Sequence, residues 1–253
     1  MSQIETIRQH LQTLRMPTAV QEVEDLLATA QSEDWTLETF LGELLEQEME
    51  GRRQRRIQRL QKAAHLPAEK TLDSFDQDRL PLRLRRLLSQ LCTGDFVDRA
   101  ENLLVFGLPG RGKTHFSAAV GHELVNLGHS VLFTPTYRLV DSLLRAKRDL
   151  LLEHELRRLD RFEVLILDDI GYVQQSRDEM EVLFTLLAER YERRSVVITS
   201  NLVFSQWDQI FKNPMTTAAA IDRVVHHSII VEFGKEMSSH RADEAAQRLQ
   251  ANP

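Results

Sequence analysis

The sequence has few of the features that are typical of extracellular and membrane proteins, namely paired cysteines, long apolar runs and a signal peptide. Among its 253 residues there is one cysteine, Cys92, so the chain can form no internal disulfide and offers no cysteine-rich metal site. It has no uninterrupted apolar run of about 18 residues, the length that a helix needs to cross a bilayer. The first residues, MSQIETIRQHLQ, lack the basic and then apolar pattern of a signal peptide. We therefore expect a cytoplasmic protein with no membrane segment.

Acidic residues outnumber basic ones in the chain as a whole, but one run is purely basic. The formal net charge of −6 excludes a protein that is basic over its entire surface. Residues 52–62 nevertheless read RRQRRIQRLQK, without any acidic residue. Within this run four arginines recur at helical spacing and share one face of a helix: Arg52, Arg55, Arg56 and Arg59. Two interpretations stay open, since such a face is either simply solvated or contacts the phosphate backbone of a nucleic acid.

Apolar residues repeat every three or four positions through residues 1–66, which predicts a small all-helical N-terminal domain. Pro17 ends the first helix or starts the second, and Thr36 is placed to cap the third. We expect the third helix to continue through the basic run. Pro67 then stops it, so the second domain is predicted to span residues 67–253.

Short apolar runs alternate with amphipathic segments in the second domain. Five runs are predicted to be strands: residues 103–106, 130–133, 164–167, 195–199 and 229–233. Helices are predicted between them, including one long helical stretch from Tyr137 to Arg158. Strands that alternate with helices indicate a parallel sheet with crossover helices. The predicted fold class is therefore α/β, with a five-stranded parallel sheet flanked by helices.

The strongest motif follows the first of these strands. GLPGRGKT, residues 107–114, fits the pattern G-x-x-x-x-G-K-[ST] at every fixed position. Glycines let backbone amides turn towards phosphate oxygens, and the following helix adds the positive end of its dipole. Lys113 would contact the β- and γ-phosphates, and the Thr114 hydroxyl would bind Mg²⁺. The predicted nucleotide-binding residues are Gly107, Leu108, Pro109, Gly110, Arg111, Gly112, Lys113, Thr114 and His115.

Polar side chains follow two more of the predicted strands: two carboxylates after residues 164–167 and an amide after residues 195–199. Asp168 and Asp169 come directly after the apolar run 164–167, at the edge of the sheet where α/β proteins bind ligands. Asp168 is expected to assist Mg²⁺, and Asp169 to orient the attacking water as a base. Asn201 either serves strand-end turn chemistry or, if the two strands are neighbours, holds that water against the γ-phosphate. This group of residues predicts hydrolysis of a nucleoside triphosphate.

Two arginines near the C-terminus are candidates for completing the site. Arg223, in AAIDRVV, is placed to reach the γ-phosphate of a neighbouring subunit as an arginine finger. Arg241, in SSHR, could touch the nucleotide from beyond the last strand. Each also has a simpler interpretation as an ordinary surface arginine. Competing P-loop classes fit less well, because no N-K-x-D follows to select guanine and no LSGGQ-like stretch indicates a transporter.

The order of these motifs resembles one family. GLPGRGKTH, VLILDDIGY, ITSNLVFSQW, AAIDRVVHH and a final HRA are similar to the IstB/DnaC-type ATPases of the AAA+ class. The basic run and PAEKTLDSFD resemble the IstB members, which help insertion sequences to transpose. The resemblance implies an AAA+ domain, ATP as the nucleotide, and subunits that assemble with ATP between them. It also implies binding to duplex DNA with little sequence preference and a partner transposase, with the N-terminal domain contacting DNA or transposase.

The resemblance implies roles that the motifs alone do not fix. By this match, Lys113 and Thr114 take the Walker A roles and Asp168 the Walker B role. Three further positions match sensor 1, the arginine finger and sensor 2, respectively: Asn201, Arg223 and Arg241. Phe75 matches a residue near the adenine in related initiator ATPases. A further helical element of this clade faces DNA, and its counterpart here carries three basic residues: Arg145, Lys147 and Arg148.

One position departs from the family pattern. The acid after Asp168 is usually Glu, whereas this chain has Asp169, which is shorter by roughly 1.5 Å and can cost about 10²-fold in rate. We therefore expect slow hydrolysis that DNA or the partner stimulates. Two alternatives stay open: a helicase loader of the DnaC type, which would prefer single strands, and a nucleotide-gated scaffold without turnover. The low aromatic content of 6% favours duplex DNA, because single-strand binding uses aromatic platforms.

Overall fold

A computed structural model of the chain describes residues 2–172, 176–202 and 224–234. The chain divides into two compact units, Met1–Arg59 and Leu60–Pro253. The functional division predicted at residues 66 and 67 lies near this boundary and stays a prediction. Among the described residues, no helix has the length and apolar character needed to cross a membrane.

The first unit is built from three helices: α1 (Gln3–Thr13), α2 (Pro17–Ser32) and α3 (Leu37–Ala64), whose last turn belongs to the second unit. As predicted, α2 begins at Pro17, and the Thr36 hydroxyl accepts from the Thr39 backbone N–H (3.2 Å) at the start of α3. α3 also continues unbroken through the basic run, as predicted. The apolar faces of the helices form a small core of Leu11, Ala19, Val20, Val23, Leu26 and Leu44.

A buried carboxylate holds α2 against α3. The N-terminus of α2 has no side-chain cap of its own. Glu48 of α3 supplies one, because its Oε2 accepts from the backbone N–H groups of Thr18 (2.8 Å) and Ala19 (3.1 Å). Its Oε1 accepts from the guanidinium groups of Arg52 (2.8 Å) and Arg55 (3.2 Å). Two arginines of the basic run therefore serve the packing of this unit.

The second unit contains the predicted sheet of five parallel strands: β1 (Asn102–Gly107), β2 (Val131–Pro135), β3 (Val164–Asp168), β4 (Ser195–Ser200) and β5 (Ser228–Phe233). Their order is β2-β3-β4-β1-β5, and every neighbouring pair is parallel. Alternate side chains of the strands enter separate apolar cores on the two faces of the sheet. Burial on both faces explains why the three central strands, β1, β3 and β4, are largely continuous apolar runs rather than alternating ones.

Helices cover both faces of this sheet. They are α4 (Leu82–Leu91), α5 (Asp95–Asp98), α6 (Lys113–Asn126), α7 (Thr136–Arg148), α8 (Leu152–Asp160) and α9 (Arg177–Arg190). α4 and α6 contribute to one core, and α7, α8 and α9 to the other. The prediction of one long helical stretch from Tyr137 to Arg158 is wrong, because two helices, α7 and α8, occupy this stretch. The break lies at Leu150, whose φ of +59° is incompatible with a continuing helix.

We expect Glu48→Gln to destabilise the first unit by about 2–4 kcal/mol, because two backbone N–H groups and two guanidinium groups lose a charged acceptor. Glu46→Gln, at an exposed position of the same helix, is the matched control and should change stability by less than about 0.5 kcal/mol. Urea unfolding of the full chain, followed by circular dichroism, measures both effects. Equal stability of the two variants would contradict the capping role.

The contribution of Glu48 also depends on pH. Burial raises the pKa of Glu48, but the hydrogen bonds from Arg52, Ala19 and Thr18 outweigh burial and leave this pKa below its ordinary value of 4.5. A carboxylate with a lowered pKa stabilises the fold above its unfolded pKa, and the stabilisation is lost as pH falls through the folded pKa. The stability difference between the wild type and Glu48→Gln should therefore be complete at neutral pH and shrink below about pH 4.

Candidate nucleotide-binding site

Residues 107–114 span the last residue of β1, the loop after it and the start of α6, as the motif predicts. The backbone at Gly107 and Gly112 has φ angles of +151° and +92°, which favour glycine. A Cβ atom at Gly107 would lie 2.7 Å from the Cβ of Phe233, so the available space requires glycine as well. α6 begins at Lys113, directly after Gly112, and the positive end of its dipole therefore lies at the loop. This geometry suits an anion such as phosphate.

Lys113 places a buried positive charge beside this loop. The residue is 6% exposed, and its Nζ donates to the backbone oxygen of Leu108 (3.0 Å) and to Oδ1 of Asn201 (2.5 Å). A buried ammonium group is costly unless acceptors surround it, and these neutral oxygens supply part of what water would provide. The ammonium group is therefore held between the loop and the end of β4.

Asp168 ends β3, and hydroxyl groups fix its position. Thr199 Oγ1 donates to Oδ1 of Asp168 (2.7 Å), and Thr114 Oγ1 donates to Oδ2 (3.3 Å). Thr136 Oγ1 donates to the backbone oxygen of Asp168 (3.0 Å). The structure thus brings together Thr114 and Asp168, the two residues predicted to bind Mg²⁺.

The oxygens at this position fit Mg²⁺ chemically. Hydroxyl and carboxylate oxygens are hard ligands, and Mg²⁺ takes only one or two carboxylates from a protein while keeping waters and phosphates. In residues 2–172, 176–202 and 224–234, no group of three or more His, Cys, Asp and Glu residues is arranged to hold a metal ion. A magnesium ion shared with a nucleotide needs no such group.

Asp169 and Asn201 form a second pair beside Asp168. Nδ2 of Asn201 donates to both carboxylate oxygens of Asp169, each at 3.0 Å, while Oδ1 of Asn201 accepts from Lys113. β3 and β4 are neighbours in the sheet, which was the condition for the predicted closeness of these residues. Asn201 therefore links the cation of the loop to the candidate base.

The surroundings of Asp169 alter its affinity for protons. Burial raises the pKa of Asp169, and the negative charge of Asp168 raises it further. Lys113 and the Asn201 amide lower this pKa, but their effect is smaller, so the carboxyl group titrates above its ordinary range. A carboxylate with a raised pKa accepts a proton more readily, which suits a general base.

Thr199 is a site residue that the sequence analysis missed. It is 1% exposed, and its hydroxyl donates to Asp168 and accepts from the backbone N–H of Asp169 (2.8 Å). One side chain on β4 thus fixes the positions of both acids on β3. The available signal was a threonine at the polar end of an otherwise apolar strand, directly before Ser200 and Asn201.

Phe75 and His115 lie together beside the loop. Their ring centroids are 4.9 Å apart, and the Phe75 ring lies 3.5 Å from where a Cβ of Gly112 would stand. Nε2 of His115 is within hydrogen-bonding distance of Ser74 Oγ and of the Thr71 backbone oxygen, both at 3.1 Å. The aromatic ring is thereby held next to the loop, and its contact with adenine stays a prediction.

The basic residues predicted on α7 are not equivalent. Arg145 pairs with a carboxylate one turn earlier in the same helix. Lys147 pairs with Asp178 (3.5 Å) and Glu181 (3.0 Å) of α9. Arg148 is exposed and, within the described part of the chain, has no ion pair. Of the three, Arg148 has the charge most available to a ligand.

The arginines predicted on α3 also differ from one another. Arg52 and Arg55 are committed to Glu48, as described above. Arg56 and Arg59 are exposed, and Nε of Arg59 donates to the backbone oxygen of Arg55 (3.3 Å). The two C-terminal candidates, Arg223 and Arg241, lie outside the described residues.

Comparison with known proteins identifies the family of this chain. The family model for IstB-like ATP binding proteins matches residues 9–247. The chain belongs to this family. A putative insertion sequence ATP-binding protein of Sinorhizobium fredii is 41% identical over 244 residues, which cover 96% of this chain and 82% of the relative. The insertion sequence IS21 putative ATP-binding protein of Pseudomonas aeruginosa is 39% identical over 226 residues, or 89% of this chain and 85% of the relative.

Solved structures share the fold of much of this chain. The DnaC helicase loader superposes with a TM-score of 0.57 at 19% identity, covering 66% of this chain and 98% of that one. AMPPCP-bound DnaA from Aquifex aeolicus gives a TM-score of 0.54 at 18% identity, covering 74% of this chain and 56% of that one. Likeness at such low identity shows the fold alone. It confirms the predicted AAA+ fold of this IstB-like protein.

Thr199→Val should separate the positioning role of Thr199 from nucleotide binding in general. The substitution keeps the branched shape but removes both hydrogen bonds to the acids. We expect the affinity for ATP in the presence of Mg²⁺ to fall by about tenfold or more, because residues that orient a metal ligand by hydrogen bonds typically contribute that much to metal affinity. Affinity for ATP without Mg²⁺ should stay unchanged.

Isothermal titration calorimetry with and without Mg²⁺ measures this difference. Thr199→Ser, which retains the hydroxyl group, is the control and should recover most of the affinity. An identical response to Mg²⁺ in the wild type and in Thr199→Val would show that Thr199 does not position Asp168.

Proposed function

We propose that this IstB-like protein is an ATP-dependent, DNA-binding transposition helper. It assembles on duplex target DNA with ATP between its subunits, and it delivers that DNA to a partner transposase and stimulates it. The observation that carries this proposal is the family match over residues 9–247, which includes most of the helical N-terminal unit. The relatives that match over most of their length are named as insertion sequence ATP-binding proteins.

The geometry of the site supports ATP hydrolysis to ADP and phosphate. The loop amides and Lys113 would bind the phosphates, and Thr114 with Asp168 would hold Mg²⁺, which would neutralise charge on the phosphate oxygens. Asp169 would orient and deprotonate the attacking water, because its raised pKa suits a base and it lies beside Asp168. Asn201 would position Asp169 and the water.

The contacts of Asp169 favour slow hydrolysis. Both of its oxygens accept from Asn201, and its side chain is a methylene shorter than that of Glu. Asn201 also accepts from Lys113, so a phosphate that binds Lys113 would compete with Asn201 for the ammonium group. Arrival of the nucleotide would release Oδ1 of Asn201 from Lys113, and Asn201 could then hold both Asp169 and the attacking water. Slow turnover of this kind suits an ATPase that times the lifetime of an assembly better than it suits a motor protein.

We expect Asn201→Ala to lower the rate of ATP hydrolysis by about 10²-fold, because the base and water lose their positioning group. The acidic limb of the pH–rate profile should also move to higher pH, since the Asn201 amide lowers the pKa of Asp169. Phosphate release measured from pH 5 to 8 in the presence of duplex DNA tests both effects.

Two results would contradict this assignment of the base. An acidic limb that stays in place in Asn201→Ala would exclude Asp169 as the group that titrates. Retained hydrolysis in Asp169→Asn, with ATP binding intact, would lead to the same conclusion. Absence of phosphate release from the wild type with DNA and transposase would instead favour the nucleotide-gated scaffold.

At the basic end of α7, Arg148 is better placed than Lys147 to contact duplex DNA. The hydrogen bond to Glu181 raises the pKa of Lys147, so its charge is held by α9. Arg148, next in the chain, has no ion pair within the described residues and is exposed. A phosphate backbone contact needs only an available charge on a rigid element. We therefore assign the contact to Arg148 and the joining of α7 to α9 to Lys147.

We expect Arg148→Ala to weaken binding to a random-sequence duplex and to reduce the slope of log affinity against log salt by about one. Lys147→Ala is the matched control and should leave the slope nearly unchanged. Fluorescence anisotropy with ATP, with ADP and without nucleotide measures both variants and the wild type. An unchanged slope in Arg148→Ala would exclude α7 from the DNA contact.

The same titrations test the proposed function itself. Tight duplex binding that requires ATP supports the transposition helper. Preference for a single strand of the same sequence would instead favour a helicase loader, the function named for the DnaC structure whose fold this chain shares.

A further inference from the structure

The first half of α3 carries a row of exposed apolar side chains. Four residues, each on the next turn of the helix, are 84%, 54%, 44% and 71% exposed: Leu37, Leu41, Leu45 and Met49. Leu44, by contrast, is 6% exposed and belongs to the core of the first unit. Side chains at intervals of four residues form a continuous ridge along a helix. We call these four residues the α3 ridge.

A ridge of this kind differs from isolated surface leucines. Single exposed apolar residues are normal, whereas a contiguous apolar patch with a polar border marks an interaction site. A Cβ added at Gly42, which lies between Leu41 and Leu45 in the chain, would meet no atom within 4 Å. The space beside the ridge is therefore open to a partner.

Acidic residues border the α3 ridge. Residues 37–50 contain no Lys, Arg or His, and their acids are Glu38, Glu43, Glu46, Glu48 and Glu50. Glu48 is buried and paired with arginines of its own unit. The other four are exposed, and none of them has an ion pair with a described residue. Three of these acids, each one position after a ridge residue, form the neighbouring row on the flank that faces away from the core: Glu38, Glu46 and Glu50. Glu43 lies on the side of the helix opposite the ridge.

We propose that the α3 ridge docks an amphipathic helix of a different protein, with apolar residues on one face and Lys or Arg along the flank. A helix is the element whose own ridges and grooves match a row of side chains at four-residue intervals. Basic residues on its flank complement the acidic border and fix its orientation. The proposal is independent of the nucleotide site and does not require that the partner be a transposase.

A second copy of the chain fits the α3 ridge less well. Antiparallel pairing of two ridges would place Glu38 of one copy near Glu46 and Glu50 of the other, and like charges oppose such contact. Sliding the pair until the acids meet residues 52–62 would replace the apolar partner by arginines. Nucleic acid is also disfavoured, because the bordering charges are negative. Charge therefore selects a basic partner protein.

A pair of synthetic helical peptides tests this proposal with the full-length protein. Each has about 20 residues with leucine at helical spacing, a length that covers the ridge. One carries Lys on the flank, and the matched peptide carries Glu at the same positions. We expect the Lys peptide to bind at least about tenfold more tightly in fluorescence anisotropy.

Variants of the ridge then show whether binding occurs there. Leu41→Gln with Leu45→Gln should weaken binding of the Lys peptide at least about tenfold. Leu14→Gln, at an apolar residue of the same unit that is 65% exposed and outside α3, is the control and should not change affinity. Glu46→Lys with Glu50→Lys should reverse the preference towards the Glu peptide. Circular dichroism confirms that each variant keeps its helices.

Three results would overturn the proposal. The first is equal binding of the two peptides, or none, to the wild type. The second is unchanged affinity of the ridge variant. The third is a dimer in analytical ultracentrifugation that Leu41→Gln with Leu45→Gln abolishes, because a second copy would then occupy the ridge.

Discussion

The parallel pairing of β3 with β4 brings the chemical groups of the site into contact. β4 lies between β3 and β1, so the residues that follow β4 can reach both the acids after β3 and the loop after β1. Thr199 uses this position to hold Asp168 and Asp169, and Asn201 uses it to join Asp169 to Lys113. A shift in strand register would move these short side chains out of hydrogen-bonding range. The chemistry of the site therefore depends on the order of strands in the sheet as well as on the P-loop motif.

This arrangement also couples the phosphate-binding group to the base. The amide of Asn201 bridges the opposite charges of Lys113 and Asp169, because it accepts from Lys113 and donates to Asp169. An amide can reorient when one partner is taken away, whereas a direct ion pair in a buried site would be harder to open. A phosphate at Lys113 would alter the surroundings of the base without touching it. The side chain of Asp169 is long enough to reach the amide with both of its oxygens.

The sequence predicted those parts of the structure that depend on local pattern. The five strands follow from apolar runs, and the loop follows from glycines that adopt positive φ at Gly107 and Gly112. Contacts between residues that are far apart in the sequence were not predictable, because they depend on how the helices and strands pack in three dimensions. Glu48 caps a helix that begins far before it in the chain, and Thr199 contacts acids on another strand. Arg190 is an extreme case: it is 1% exposed and donates to the carbonyl groups of Leu159, Phe162, Glu163 and Ser195.

The charged residues show why composition alone is a poor guide to partners. Arg52, Arg55 and Lys147 looked in the sequence like residues for nucleic acid, yet each is engaged by carboxylates of its own unit. A charge held in this way must lose its partner before it can meet a phosphate, and the loss offsets much of the gain. The charges available to ligands are those without such partners, and they differ in sign along α3. Its first half presents acids beside an apolar ridge, and its second half presents Arg59, which is exposed and has no ion pair with a described residue, so one continuous helix offers surfaces for two chemically opposite ligands.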